Sequence, residues 1–233
     1  MKKYEFTGET KVINDCERIV ILRRIRSVAE FGFVKAGDIG GWIEKEQNLS
    51  RENESWVSGD AMVYGNAMVY GNAIVYDYAT VHENAKVCDD AIIDGTASIS
   101  GNTKVYGNAI VYDRATVREN AKVCDDAIIG GTASISGNAM VCGNARIGGN
   151  AEVCDDAMIF SASHILTIGA IGSGNNFITF YRNKEKGIAV KWGCFLGNID
   201  EFLKKITDIY GDSKYSIVFR AASEVAKLQI DLY

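Results

Sequence analysis

Proline is absent from all 233 residues, while glycine occurs 24 times. Proline cannot donate to a backbone ladder. A glycine-rich chain without it points to a backbone whose N–H groups are mostly committed to ladders. Histidine is scarce, with only His82 and His164, so chemistry that needs an imidazole base has two residues to draw on. No apolar run approaches the roughly 18 residues that a membrane-spanning helix needs. The N-terminal run Met1, Lys2, Lys3, Tyr4, Glu5 lacks the apolar core of a secretory signal. A net charge of −5 argues against a general nucleic-acid binder.

The six cysteines, Cys16, Cys88, Cys124, Cys142, Cys154 and Cys194, form no CxxC pair. Four of them share one slot of a repeat, which reads as a repeat effect rather than a metal or disulfide framework. Cys124 and Cys142 fall near enough to oxidise in vitro. Free thiols in a reduced, cytoplasmic protein are the expectation.

What the chain does have is a period of six. Stepping from Ala61 to Ala157 by sixes meets alanine at sixteen of seventeen positions, Thr103 being the exception. Two residues after each comes Val or Ile, from Val63 to Ile159, and the register runs back to Val57 and on to Ile165 and Ile171. Residues two apart point to the same side of a strand, so each hexad is a short strand with a two-residue corner. Gly, Asn and Asp at the corners tolerate the left-handed backbone conformation that a sharp bend needs. Three sides close a triangle, giving about 18 residues per coil with a rise near the parallel-strand spacing of about 4.8 Å. A second period supports the triangle: the pattern of residues 73–103 recurs at 109–139, an offset of 36, or two coils.

The fold expected is mainly β, a three-sided parallel β-helix of about six to seven coils. It divides as a β lead-in at 1–54, the β-helix at 55–171 and an α/β domain at 172–233. In the lead-in, Tyr4–Thr10, Lys11–Ile13 and Cys16–Arg26 read as strands. Gly37, Gly40 and Gly41 read as the tight turns that launch the coil, and Ile43, Leu49 and Ser55 keep the phase of the later alanines. Arg23, Arg24 and Arg26 read as solvated edge charge, an anion-binding patch being the functional alternative. In the C-terminal part, Phe177–Arg182 and Gly187–Trp192 form a hairpin. Asn198 caps a helix that ends at Gly211, and a second helix runs from Ser213 to about Leu228. This segment caps raw strand edges of the solenoid.

The pattern Val-x-x-x-Ala-x resembles the hexapeptide repeat of left-handed β-helix proteins. The run Gly40-Gly41-Trp42-Ile43-Glu44-Lys45-Glu46, with Asn48-Leu49-Ser50 leading into Gly65-Asn66-Ala67, resembles repeat proteins of phages, prophages and gut bacteria that carry polymer-forming or transferase labels. The left hand of the helix is what this resemblance implies; the period alone does not set it.

Residues 18 apart stack on the outer faces. One face carries Ile74, Ile92, Ile110 and Ile128, then Arg146 and His164, flanked by Tyr76, Asp94 and Tyr112. A strip of branched and aromatic side chains on a surface usually means contact. It is the candidate protein interface, covered by a second copy of the rod or by the chain's own C-terminal segment. A second face carries Met68, Lys86, Lys104, Lys122, Met140 and Met158. Lys86, Lys104 and Lys122 are the candidate anion or partner contact, with acidic corners at Glu83, Asp89, Asp90, Glu119, Asp125 and Asp126 expected to balance them. The third face is polar. A corner column of Asn66, Asn84, Asn102, Asn120 and Asn138 is expected to form an amide ladder. No metal site is read from the paired aspartates, and no cofactor is assigned.

Three functions remain open. A non-catalytic rod would present flat faces to a protein. The phage-type resemblance implies a mobile-element accessory protein that blocks a host defence complex such as CRISPR machinery. The hexapeptide resemblance also implies an acetyl-CoA-dependent acyltransferase, with His82 or His164 as base; but no hexad between Val57 and Ile159 is interrupted by the loop such enzymes use. The third is self-assembly into a structural scaffold. A homo-oligomer, dimer or trimer, is the partner expectation beside a foreign protein. Membrane association and direct nucleic-acid binding are not expected.

Overall fold

The structure is a computed structural model that describes residues 3–15 and 18–232. Met1, Lys2, Cys16, Glu17 and Tyr233 lie outside the described residues. The chain forms a parallel β-solenoid of about seven turns, with an antiparallel lead-in and a C-terminal sheet bearing two helices. Coil strands of mostly two residues stack into three sheets: seven coil strands extend the lead-in sheet, and the other two sheets have six each. Strand pairs sit 18 residues apart, as in Ile92↔Ile110, Ser98↔Thr116 and Lys104↔Lys122.

The alternation decides the core. Val and Ile of each hexad point inward and are fully buried, as at Val111, Val117 and Val123, with alanine packed beside each corner. Burying each Val contributes about 1.5–3 kcal/mol. Strand and corner N–H groups donate to the next coil, as in Met62 N–H to the Ala79 carbonyl at 2.9 Å and Asp90 N–H to the Gly107 carbonyl at 3.0 Å. A proline at either donor position would delete one of these bonds. The first corner residue adopts a positive φ, for instance Asp89 at 58° and Gly101 at 74°.

The corners alternate by coil, which explains the 36-residue period. Gly95, Gly101 and Gly107 turn one coil; Asp113, Glu119 and Asp125 turn the next. Most of these acidic side chains reach along the axis to the corner N–H of the following coil: Asp89 accepts from Gly107 at 3.1 Å, Glu119 from Gly137 at 2.7 Å and Asp125 from Gly143 at 2.9 Å. Alternation also keeps like charges about 10 Å apart instead of about 5 Å. The corner amides Asn66, Asn84, Asn102, Asn120 and Asn138 bond in series at 3.1–3.2 Å and end on Asp156.

The lead-in departs from the sequence reading in four ways. Its first two strands, Tyr4–Asp15 and Arg18–Ser27, form one long antiparallel hairpin with a register shift between Phe6 and Thr10. Gly40 and Gly41 lie within the strand Ile39–Ile43, not in a turn. A Cβ on Gly40 would sit 2.6 Å from the Ile25 side chain, and one on Gly41 would sit 2.7 Å from the Ala61 carbonyl oxygen, so close approach is what requires glycine there. Ile43 and Leu49 pair with Val63 and Val69, an offset of 20, so they join the valine column; Ser55 alone takes an alanine place. Two extra residues in the Ser50–Ser55 bend account for the difference. Finally, the arginines are partnered. Arg24 pairs with Asp60 at 3.0 Å over the Trp42 ring, Arg26 pairs with Glu5, and Arg23 lies over Phe6. Two of the three guanidiniums are thus tied to carboxylates, and exposed Arg23 rests on a ring.

At the other end the hexad phase persists to Ile165 and Ile171, but the coil stops after Ile159. Ala162–His164 is a 3-10 turn, and Ile165–Ile171 becomes the first strand of a four-stranded antiparallel sheet with Asn176–Arg182, Ile188–Trp192 and Phe195–Asn198. His164 therefore leaves the outer column. Helix α1, Ile199–Tyr210, begins at an Asn198 capping box with Glu201 and ends at Gly211; α2 spans Lys214–Gln229. The central strand faces both ways. Ile178 and Phe180 meet the helices around Phe202 and Phe219, while Tyr181 joins the solenoid core. Thr179 Oγ1 accepts from Glu152 N–H at 3.1 Å, and Tyr181 donates to the Cys154 carbonyl at 3.2 Å. The sheet thus closes the last coil and leaves the isoleucine face uncovered.

Candidate functional site: the outer faces of the rod

The isoleucine column stands as its spacing predicts. Ile74, Ile92, Ile110 and Ile128 are paired in register on adjacent strands and half-buried against one another. Trp56 precedes them, buried beneath Phe31 with ring centroids 5.5 Å apart. Arg146 follows them. The strip is therefore bounded by the lead-in at one end and a charge at the other. Tyr76 lies beside Ile74, its phenol raised by burial first and by a hydrogen bond to Asp94 second. Tyr112 is 37% exposed. Its ring lies over Gly130, where a Cβ would collide with it. The C-terminal segment does not cover this strip, because its sheet seats on Glu152, Cys154 and Asp156 instead.

Lys86, Lys104 and Lys122 stand exposed in register on three consecutive strands. The expected charge balance is absent from contact distance: among the described residues, none of the three makes an ion pair. The acidic corners accept from glycine N–H groups or from Asn72 and Asn108 instead.

Two findings go beyond the sequence reading. Cys124 and Cys142 are joined in a disulfide, with Cα atoms 4.5 Å apart. The expectation of free thiols fails here because coil stacking puts two buried sulfurs side by side. The 18-residue spacing within one slot was the available signal. Asp125 lies beside this pair, but disulfide sulfurs offer no thiolate to a metal. The second finding is exposed apolar surface away from the strip. It comprises Val12, Ile19 and Ile21 on the lead-in hairpin, and Ile217, Val225 and Leu228 along α2.

Both histidines are held in packing. His82 stacks on Tyr64, with centroids 5.0 Å apart and planes 18° apart. His164 is buried, its Nδ1 accepting from Phe160 N–H at 3.1 Å and its Nε2 3.3 Å from Arg182. Burial first, and the Arg182 charge second, lower its pKa. A cavity of about 300 Å³ at the junction with the C-terminal sheet is lined by Cys154, Asp155, Tyr181, Asn183, Lys184 and Asn198 among others, and contains neither histidine. Among the described residues no helix is long and apolar enough to cross a membrane.

Comparison with known proteins bears on the coil. A family described as the YdcK β-solenoid repeat matches residues 67–83 and 133–149. A relative named "Uncharacterized acetyltransferase YdcK", from Escherichia coli (strain K12), is 34% identical over 61 residues, 24% of this chain and 19% of the relative. The chain thus spans about a fifth of the relative's length, and the likeness is one of β-solenoid repeats.

Proposed function

We propose that this chain is a non-catalytic binding rod that holds a protein partner along the strip of Ile74, Ile92, Ile110 and Ile128, with Tyr76 and Tyr112 at its side. One observation carries the reading. The coils run without an interrupting loop from Trp56 to Ile159, while His164 is buried and hydrogen-bonded and His82 is stacked on Tyr64. That leaves flat faces as the rod's working surface. Four half-buried isoleucines in line desolvate readily, and aromatics beside them suit the centre of an interface. A host protein blocked by a mobile-element product is one partner class, and a second rod in a dimer or trimer is another. An Ile92→Glu/Ile110→Glu variant tests the face. Mass from light scattering identifies self-association, and affinity capture from host lysate identifies a foreign partner. Loss of either with this variant, but not with Ser98→Glu/Thr116→Glu on the polar face, supports the reading. Equal behaviour of the two variants overturns it.

Acetyl-CoA-dependent acyl transfer is the second reading, resting on the printed name of the relative that shares 61 residues. A thermal shift discriminates, because a ligand that binds only the native state must raise its melting temperature. A clear rise with acetyl-CoA reverses the order of the two readings.

A further inference from the structure

The lysine ladder departs from the internal repeat that builds it. Lys86 and Lys122 are 36 residues apart and correspond under the duplication. Lys104 does not follow that rule, since its counterparts 36 residues away are Met68 and Met140. With methionine at 104 the two lysines would stand two coils apart, about 10 Å. Lys104 fills the gap and makes a continuous line of three ammonium groups about 5 Å apart. Neighbours at that distance repel by about 0.8 kcal/mol in water, and no contacting carboxylate offsets it among the described residues. The coil that carries Lys104 turns at Gly101 and Gly107, whose N–H groups hold the Glu83 and Asp89 carboxylates of the preceding coil at the corners, away from ion-pair contact with the lysines.

The three lysines line a groove of about 280 Å³ together with Tyr70, Cys88 and Tyr106. The groove is open at the surface, and the two tyrosines border it two coils apart. The Tyr70 phenol is pushed up to about 12, by its hydrogen bond to Cys88 first and burial second. Its one proton is engaged with Cys88, so the phenol borders the groove as a wall.

We propose that this groove binds a short linear oligophosphate lying along the rod axis across Lys86, Lys104 and Lys122. Three cations in line call for at least three negative charges in line. The groove's volume admits a small molecule. Lysine presents a compact charge with rotatable donors, which suits phosphate oxygens. An extended acidic peptide fits less well, because its same-side carboxylates repeat every 6.6–7 Å, roughly, out of step with a ladder of about 4.8 Å.

The test is titration calorimetry of the full chain with tripolyphosphate at low salt, in parallel with Lys104→Met. That substitution restores the residue used at 68 and 140, and a urea midpoint no lower than that of the wild type verifies that it folds. The expected result is saturable binding at one site, weakened about tenfold or more in Lys104→Met, as the loss of one charge-assisted contact implies. Orthophosphate, with one group to offer, is expected to bind more weakly than tripolyphosphate. No saturable heat with tripolyphosphate overturns the proposal. So does equal binding by Lys104→Met, or tighter binding of a poly-glutamate peptide. The result is independent of whether the isoleucine face binds protein.

Discussion

The solenoid and the C-terminal domain solve the same problem in opposite ways. The rod buries many small, similar side chains, a Val or Ile and an Ala at a time, in columns where each coil touches only its neighbours. The C-terminal domain concentrates its core in a few aromatic rings. Phe202 packs against Phe180, Trp192, Phe195 and Phe219 at centroid distances of 5.6–6.3 Å. In a quasi-one-dimensional rod, damage stays near the coil that suffers it. In a single cluster, one ring supports everything around it. The rod's core is thus shared along its length and leaves its outer faces free to vary, whereas the cap's aromatic core is shared between one sheet and two helices.

The largest effect that would break this contrast is a charge in the rod's centre. Val111→Asp leaves an unpaired carboxylate among fully buried side chains and should cost about 4–5 kcal/mol. Hydrogen exchange should locate the loss in the adjacent coils, with Phe202 and its surroundings still protected. Uniform loss of protection would show that rod and cap unfold as one unit. The converse variant, Phe202→Ala, should cost about 3–4 kcal/mol by urea denaturation. Exchange should then rise throughout α1, α2 and the C-terminal sheet while the central coils stay closed.

Corner chemistry sharpens the comparison at smaller amplitude. Gly101→Ala puts a Cβ 2.5 Å from the Glu119 backbone at a φ of 74°, and should cost about 1–3 kcal/mol. Gly211 also has a positive φ, of 54°, but nothing lies within 4 Å of a Cβ there. Gly211→Ala should therefore be the milder change in a thermal melt. Asn102→Ala removes the middle of the amide ladder and should cost about 1 kcal/mol, read as a shift in urea midpoint.

A further contrast is a pH dependence at the entry to the rod. Lys3 donates to Ser55 and lies over the Phe31 ring, 4.5 Å from its centroid. Burial lowers its pKa from the ordinary 10.5 to about 8, with the Glu54 charge opposing. Between those values the unfolded chain binds the proton and the native chain does not, so this group makes stability rise with pH. Below about 8 both states are protonated and the slope vanishes. The difference in unfolding free energy between wild type and Lys3→Met should therefore change between pH 8 and 10.5 and be flat below; a flat difference across the whole range would contradict it.

Much of this architecture was legible in the residues. The columns of Ile74, Lys86 and Thr80 stack as spacing alone requires, the Asn102 ladder is bonded, and α1 starts at Asn198 and ends at Gly211. These features depend on side-chain alternation and local caps, which the sequence carries residue by residue. The departures share a different cause. Ile165 and Ile171 keep the hexad phase yet pair antiparallel with Tyr181 and Asn176. Gly40 answers to Ile25 and Trp56, not to its own dihedral angles. The strand Phe195–Asn198 pairs back on Ile188–Trp192 through the two-residue turn Gly193-Cys194, whose glycine at φ 54° was the available signal.

By itself, then, the sequence determined which side chains face inward, how many sides the rod has and which residues stack on each face, because a repeated strand-and-corner unit leaves one way to alternate. Tertiary structure decided where the coil begins and ends, which partner each corner carboxylate takes, and that Cys124 and Cys142, which the repeat already stacks, are bonded rather than free. Those outcomes depend on groups brought close through space, and glycine N–H donors one coil away reach Asp89 and Asp125 before any lysine does.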